Sequence, residues 1–367
     1  MSCTPASEWP APGPSTVAPA EVHVRRGPFR ESLHRVHVAV AGRDGAVAAM
    51  GDAVTPILPR SAIKMIQALP LVESGAAAAA GLGPDHLALA CASHGGTPAH
   101  VSRVRAWLAA LELDEGALLC GTHPPSDPGS AAALIRADTP PGPVHNNCSG
   151  KHAGFLTLAR HLGGGPDYLA PDHPVQRAVF AAFEDLTGEA HGHAIDGCSA
   201  PNPAASLGGI ARAMAAFATA PGRTGTRAAA QAALVGAMIA HPDLVAGPGR
   251  ACTGLMRALQ GRAALKTGAE GVYVAILPGP GLGIALKAED GATRAAEAAV
   301  AALLVRHAGL DPAHPEAAPR LSGPIRNHRG LVTGTCRCAS EPDRRGARFP
   351  RRRWPAPIPI SRRCCAD

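Results

Sequence analysis

The order of two hydrophobic periodicities limits this chain more than any single motif. Residues 35–52 (RVHVAVAGRDGAVAAMGD) alternate with period two on either side of an Arg-Asp-Gly turn, which reads as a hairpin. Two further extended runs come late, Gly271–Leu277 and Gly283–Lys287, joined by Pro-Gly-Pro-Gly. Between them lie helical patterns at about 61–74, 98–112, 129–137, 149–162, 173–187, 204–218, 226–241 and 250–260, with a short apolar stretch at 87–92. A last helix is expected over 292–308, and no internal repeat is evident. Strands at both ends with helices between them do not alternate as a doubly wound sheet requires. The expected class is α+β: one antiparallel sheet built from N- and C-terminal strands, with a large helical block beside it.

With 367 residues the chain can bury a substantial core. No apolar run approaches the roughly eighteen residues a membrane helix needs. The N-terminal residues 1–21 are rich in Pro, Ala and Ser and lack the basic start and apolar core of a secretory signal, so a disordered lead and a cytoplasmic protein are expected. Residues 336–367 hold nine arginines against Glu341, Asp343 and Asp367, which accounts for six of the seven net positive charges. The body is therefore nearly neutral, and nucleic-acid binding is not expected. The pattern changes abruptly after Thr335, so residues 336–367 read as a disordered Arg/Pro/Cys tail or a frame-shifted end, with a single domain over 22–335. Five cysteines (Cys91, Cys120, Cys148, Cys198, Cys252) fall in that domain, where buried thiols, catalysis or metal binding are expected before disulfides.

One compositional fact bears directly on chemistry. Only four lysines occur, Lys64, Lys151, Lys266 and Lys287, against 31 arginines. Where a positive charge alone would serve, this chain uses Arg; a Lys has the distinct ability to lose its proton. Ser61-Ala-Ile-Lys64 places a hydroxyl and an amine one helical turn apart, with Ser61 at the positive end of the expected helix. A buried neutral amine can take the Ser proton. Alone the pair says little: 16 serines and four lysines in this length give about 0.2 such pairs by chance, and a capping Ser followed by a surface Lys is the plainer explanation. Penicillin-binding serine enzymes add a polar S-x-N element and a Lys-Thr-Gly. Lys266-Thr267-Gly268 matches the latter just before the strand GVYVAIL; Ser93-His94-Gly95 can fill the former without its Asn, giving a second Ser–Lys couple.

Asn146-Asn147-Cys148-Ser149-Gly150-Lys151-His152 puts a thiol and an amine at a helix start, and Asp196-Gly197-Cys198-Ser199-Ala200-Pro201 carries another thiol in a tight turn. Two thiolates with a nitrogen or oxygen donor suit zinc, but the spacing fits a structural or redox pair equally well.

These segments, together with Arg26-Gly-Pro-Phe-Arg-Glu-Ser-Leu-His and Pro59-Arg-Ser-Ala-Ile-Lys-Met, resemble the L-asparaginase II family of the inducible rhizobial type over about residues 22–335. The resemblance implies a serine β-lactamase-like fold and hydrolysis of L-asparagine to L-aspartate and ammonia. It implies Ser61 as nucleophile beside Lys64, Ser93 with Lys266 as a second couple, and Arg60 and His152 as substrate contacts. It further implies zinc held by Cys148, Lys151 and Cys198 with water, Asp196 behind them, and a homodimer. The family's closing strand is not visible after Thr335, so a missing sheet edge is expected. Competing expectations are another amidase or penicillin-interacting hydrolase on the same scaffold, or a noncatalytic metal-binding relative.

Overall fold

The computed structural model describes residues 17–338. Twelve strands occur in chain order: β1 (Ala20–Arg26), β2 (Phe29–Ala41), β3 (Val47–Met50), β4 (Pro56–Ile57), β5 (His193–Ile195), β6 (Pro201–Pro203), β7 (Ala205–Ser206), β8 (Ala264–Thr267), β9 (Val272–Leu277), β10 (Leu282–Ala288), β11 (Gly323–Arg326) and β12 (Val332–Cys338). Eight form one antiparallel sheet in the order β11-β12-β1-β2-β10-β9-β8, with β3 also paired to β2. The junction between the two ends of the chain is β2 against β10, where Val36–Ala41 meet Gly283–Ala288. The expected α+β plan is therefore what forms: N- and C-terminal strands share a sheet, and the segment between them supplies most of the helices.

All six residues of β9 are buried, as happens only where a sheet is covered on both faces. The covers are the helices Thr293–Ala308 and Leu207–Ala218. The second lies so close that a Cβ on Gly283 would stand 2.1 Å from the Ala215 nitrogen and 2.3 Å from the Ala211 oxygen. Gly283→Ala is accordingly expected to cost about 3 kcal/mol through overpacking. A lowered urea midpoint at unchanged m-value is the measurement.

The helices start and stop where local chemistry dictates. Proline occupies the first position of Pro84–Ala90, Pro98–Ala110, Pro128–Arg136 and Pro174–Thr187, where its missing N–H costs nothing. The Asp127 carboxylate accepts the Ser130 N–H at 2.8 Å, and left-handed Gly188 and Gly309 end their helices. The helix Ser149–His161 is buried from Ser149 to Ala159 and forms the axis of the helical block. That block meets the sheet on its face through Leu207–Ala218 and at the β8 edge through Ala251–Leu259.

Three sequence expectations change. The single helix over 61–74 is instead a 3-10 turn, Arg60–Ile63, followed by short helices Lys64–Gln67 and Leu69–Glu73. The apolar stretch 87–92, expected to stand apart from the helices, lies over residues 87–90 in the helix Pro84–Ala90. The sheet also does not lack an edge: β12 runs to Cys338, pairing Val22↔Cys338 through Arg25↔Thr335, and β11 lies outside it. The expected lead 1–21 and tail 336–367 thus overlap the sheet at Ala20, Glu21 and residues 336–338; residues 1–16 and 339–367 lie outside the described residues. Among the described residues no cysteine is disulfide-bonded and no helix is long and apolar enough to cross a membrane.

Candidate active site

The site grows from the turn after Pro59. Arg60 has φ +53°, a left-handed conformation that costs a residue with a Cβ about 1–2 kcal/mol. Two bonds hold it there: its N–H donates to Asn202 Oδ1 at 3.2 Å and its Nε to Asp196 Oδ1 at 2.6 Å. Ser61 follows in the 3-10 turn, where positions i and i+3 eclipse, so Ser61 and Lys64 share one face. Ser61 is partly exposed, and no hydrogen bond of its side chain occurs among the described residues. Gly268 lets the Lys-Thr-Gly strand end approach this turn: a Cβ there would stand 2.6 Å from the Pro59 oxygen.

Three of the four lysines are buried here, with Lys64, Lys151 and Lys266 each no more than 2% exposed. Lys266 lies on β8, a strand of its own that the alternation of β9 does not reveal. Both catalytic candidates Lys64 and Lys266 point at Ser93, whose Oγ is 3.1 Å from Lys64 Nζ and 2.8 Å from Lys266 Nζ. The other contacts distinguish the two amines. Lys64 Nζ also donates to the carbonyls of Ala92 and Asn147 (3.4 Å for the latter) and lies 3.1 Å from Cys148 Sγ. Among the described residues Lys266 Nζ has, besides Ser93, the Thr267 carbonyl at 2.8 Å. Burial first, and the neighbouring Lys64 charge second, bring the Lys266 pKa down to about 7. Lys64 Nζ thus donates to Ser93 Oγ, and when Lys266 is neutral the Ser93 hydroxyl can donate in turn to its amine, which closes a circuit of three groups. Lys287, the remaining lysine, lies apart and donates to the Glu270 and Ala288 carbonyls.

Beside this circuit the structure gathers Cys148, Lys151 and Cys198. Lys151 Nζ is 3.1 Å from Cys198 Sγ, and the Cys198 sulfur lies 3.9 Å from Asp196 Oδ2. A shared hydrogen bond between the two sulfurs holds the Cys148 thiol well below its ordinary pKa and raises that of Cys198, so one thiolate and one thiol share a proton. The Cys198 turn contains a second left-handed residue, Ser199 at φ +66°. His152 is fully buried; its Nδ1 lies 2.9 Å from the Tyr168 hydroxyl, and its Nε2 has no partner among the described residues. Burial pushes the His152 pKa down to about 4, so the ring is neutral near pH 7.

The sequence model of the L-asparaginase II family matches residues 22–338, through the last residue of β12. The chain belongs to the L-asparaginase II family. No curated protein matches it significantly. Among solved structures, a protein from Bacteroides dorei DSM 17855 provisionally named a beta-lactamase is similar at 14% identity, over 70% of this chain and 87% of that one, with a TM-score of 0.38. Family membership supports an asparaginase-type amidohydrolase acting on a small molecule.

Within this L-asparaginase II chain the expected residues fall into two touching groups. Ser93, Lys64 and Lys266 form one, and Cys148, Lys151, Cys198, Asp196 and Arg60 surround the other, with Lys64 to Cys148 as the bridge. Among the described residues Ser61 and Lys64 are not hydrogen-bonded to each other; Lys64 turns to Ser93. Three contributors were missing from the sequence reading: Asn202, which holds Arg60, Tyr168, which orients His152, and Asn147, whose side-chain oxygen lies 3.0 Å from Cys148 Sγ. Only Asn147 carried a local signal, its place inside the Asn146–His152 motif.

Proposed function

We propose that the chain hydrolyses the side-chain amide of L-asparagine to L-aspartate and ammonia, with Ser61 as nucleophile. The observation that carries this reading is the Lys64–Ser93–Lys266 circuit, which places an amine of near-neutral pKa one hydroxyl away from the lysine eclipsing Ser61. Neutral Lys266 takes the Ser93 proton as Ser93 takes one from the Lys64 ammonium, leaving Lys64 able to accept the Ser61 proton. The Ser61 oxygen adds to the amide carbon, and backbone N–H groups stabilise the oxyanion. The stored proton then returns along the same path to the leaving nitrogen, so ammonia departs and a β-aspartyl ester of Ser61 remains. Water hydrolyses that ester by the same relay. Arg60, whose guanidinium is partly exposed beside Asp196, is placed to meet the α-carboxylate.

A second reading rests on one specific observation: Ser93, not Ser61, is the hydroxyl bonded to both amines. In it Ser93 attacks and Lys266 is its direct base. A diazoketone analogue of asparagine traps the nucleophile, and peptide mapping of the adduct to Ser61 or Ser93 decides between them.

The Cys148, Lys151 and Cys198 donors fit zinc. The two sulfurs, joined by a shared proton, and an amine supply soft and borderline donors, and the buried His152 ring beside Cys198 adds a polar neighbour. Among the described residues no group of three or more His, Cys, Asp or Glu could hold a metal, so the amine is essential to the set. Zinc bound there would supply a fixed positive charge beside the substrate. Because Lys151 Nζ is charged among the thiols, loading must release protons. One zinc per wild-type chain by elemental analysis is expected, and none in Cys198→Ser; equal content in both would remove zinc from this site.

Ammonia release from asparagine, glutamine and no substrate tests the activity itself. Labelling by a fluorescent penicillin in place of ammonia release would point to a penicillin-interacting hydrolase, and bound zinc with no amide turned over to a noncatalytic relative.

A further inference from the structure

We infer that Asn202 is a positioning residue for Ser61, acting through the backbone of Arg60; this rests on the reading of Ser61 as nucleophile. Asn202 is the middle residue of β6, 1% exposed, with prolines on both sides that have no N–H to donate. A polar side chain so deeply buried needs a partner. Its partner is the Arg60 N–H, at 3.2 Å, on an element 142 residues away. That N–H can only donate, so the facing atom must be Oδ1, and the orientation of the amide is not open to choice. The bond closes on a first-turn N–H of the 3-10 turn, one of the donors a helix start leaves without an internal partner.

The bonded residue is also strained. Arg60 sits at φ +53° immediately before Ser61, so whatever holds Arg60 in that conformation fixes the direction in which the Ser61 Cβ leaves the chain. Asp196 holds the side chain of Arg60, but a guanidinium bond constrains φ weakly because several side-chain torsions intervene. The Asn202 bond acts on the backbone itself. A third tie, the pairing of β4 with β7 (Pro56↔Ser206, Ile57↔Ala205), brings the same two segments together on the far side of Pro59. The hairpin β5–β6, whose turn carries Cys198, thereby also sets the nucleophile turn. Displacement of a reacting group by about 1 Å can cost 10²-fold in rate, which makes this single bond consequential.

The test uses the full chain with Asn202→Ala, Asn202→Asp, Arg60→Gly and the double variant Arg60→Gly/Asn202→Ala. Asn202→Ala is expected to lower kcat for asparagine by about 10²-fold with KM changed less than about threefold. Asn202→Asp, which keeps the acceptor, should recover most of the loss. Glycine adopts positive φ freely, so with Gly at position 60 the Asn202→Ala change should cost less than about threefold. In a crystal structure of Asn202→Ala, Arg60 should leave the positive-φ region with Ser61 displaced. Equal cost of Asn202→Ala in both backgrounds, or Arg60 and Ser61 unmoved in that crystal structure, would overturn the inference. If the wild-type chain turns over no amide, the functional reading fails and the crystal structure alone decides on Asn202. If Asn202→Ala does not fold, folding of the double variant supports the inference, whereas failure of both makes Asn202 a residue of the fold alone.

Discussion

Ser61→Ala is expected to reduce ammonia release from asparagine by about 10³-fold or more, with zinc content and thermal stability unchanged. The stability half of that expectation follows from the environment. Ser61 is partly exposed and its hydroxyl has no hydrogen-bond partner among the described residues, so its removal orphans nothing. The zinc half follows because Ser61 is not bonded to Cys148, Lys151 or Cys198. Ser93→Ala differs in kind. Ser93 links two buried amines, and its loss leaves Lys64 and Lys266 without the oxygen that both approach. A fall in stability as well as turnover is therefore expected for Ser93→Ala. Wild-type-like turnover in Ser61→Ala would transfer the nucleophile role to Ser93 and leave the rest of the site as described.

The lysines were the most legible part of this site. A chain that writes Arg almost everywhere kept four lysines, and three of them converge on one buried cluster. Spacing was less informative. Ser61-x-x-Lys64 suggested two groups sharing one helix face, yet the hydroxyl bonded to Lys64 is that of Ser93, from a segment whose position no local pattern encodes. The strands show the same division. The β9–β10 hairpin was legible because both strands are long and apolar, whereas β8, with four residues and a lysine among them, offers too little alternation to read. The β12 strand escaped for a different reason: its buried positions are Gly334 and Cys338 rather than Val, Ile or Leu, so its pattern looked like the start of the Arg/Pro/Cys tail. In β1 the buried residues are Ala20, Val22 and Val24, separated by Glu21 and His23, and the run is short enough that its first two residues passed for the end of the lead. Asn202 was illegible altogether, because Pro-Asn-Pro reads as a loop and its function depends on a backbone N–H far away in sequence. What escaped is what depends on long-range partners.

The acid limb of the pH–rate profile should belong to Lys266. Its amine must be neutral to accept the Ser93 proton, and burial together with the Lys64 charge places its pKa at about 7. Below that value kcat/KM for asparagine is expected to rise about tenfold per pH unit, levelling above it. Lys266→Arg keeps the positive charge but cannot give up its proton, so a loss of about 10²–10⁴-fold is expected across the whole range, with no acid limb at pH 7 left to recover. The same shift has a stability consequence of defined sign. Between about pH 7 and its ordinary value of 10.5, the unfolded chain binds the Lys266 proton and the folded chain does not. Stability should therefore increase with pH across that window, and Lys266→Met should flatten that slope in urea unfolding at fixed temperature. The second cause of the shift supplies a further check. Lys64→Met removes the neighbouring charge, so the limb of the residual activity should move to higher pH while desolvation keeps it below the ordinary lysine range. A limb that stays at pH 7 in Lys64→Met would mean that the titrating group lies elsewhere in the site.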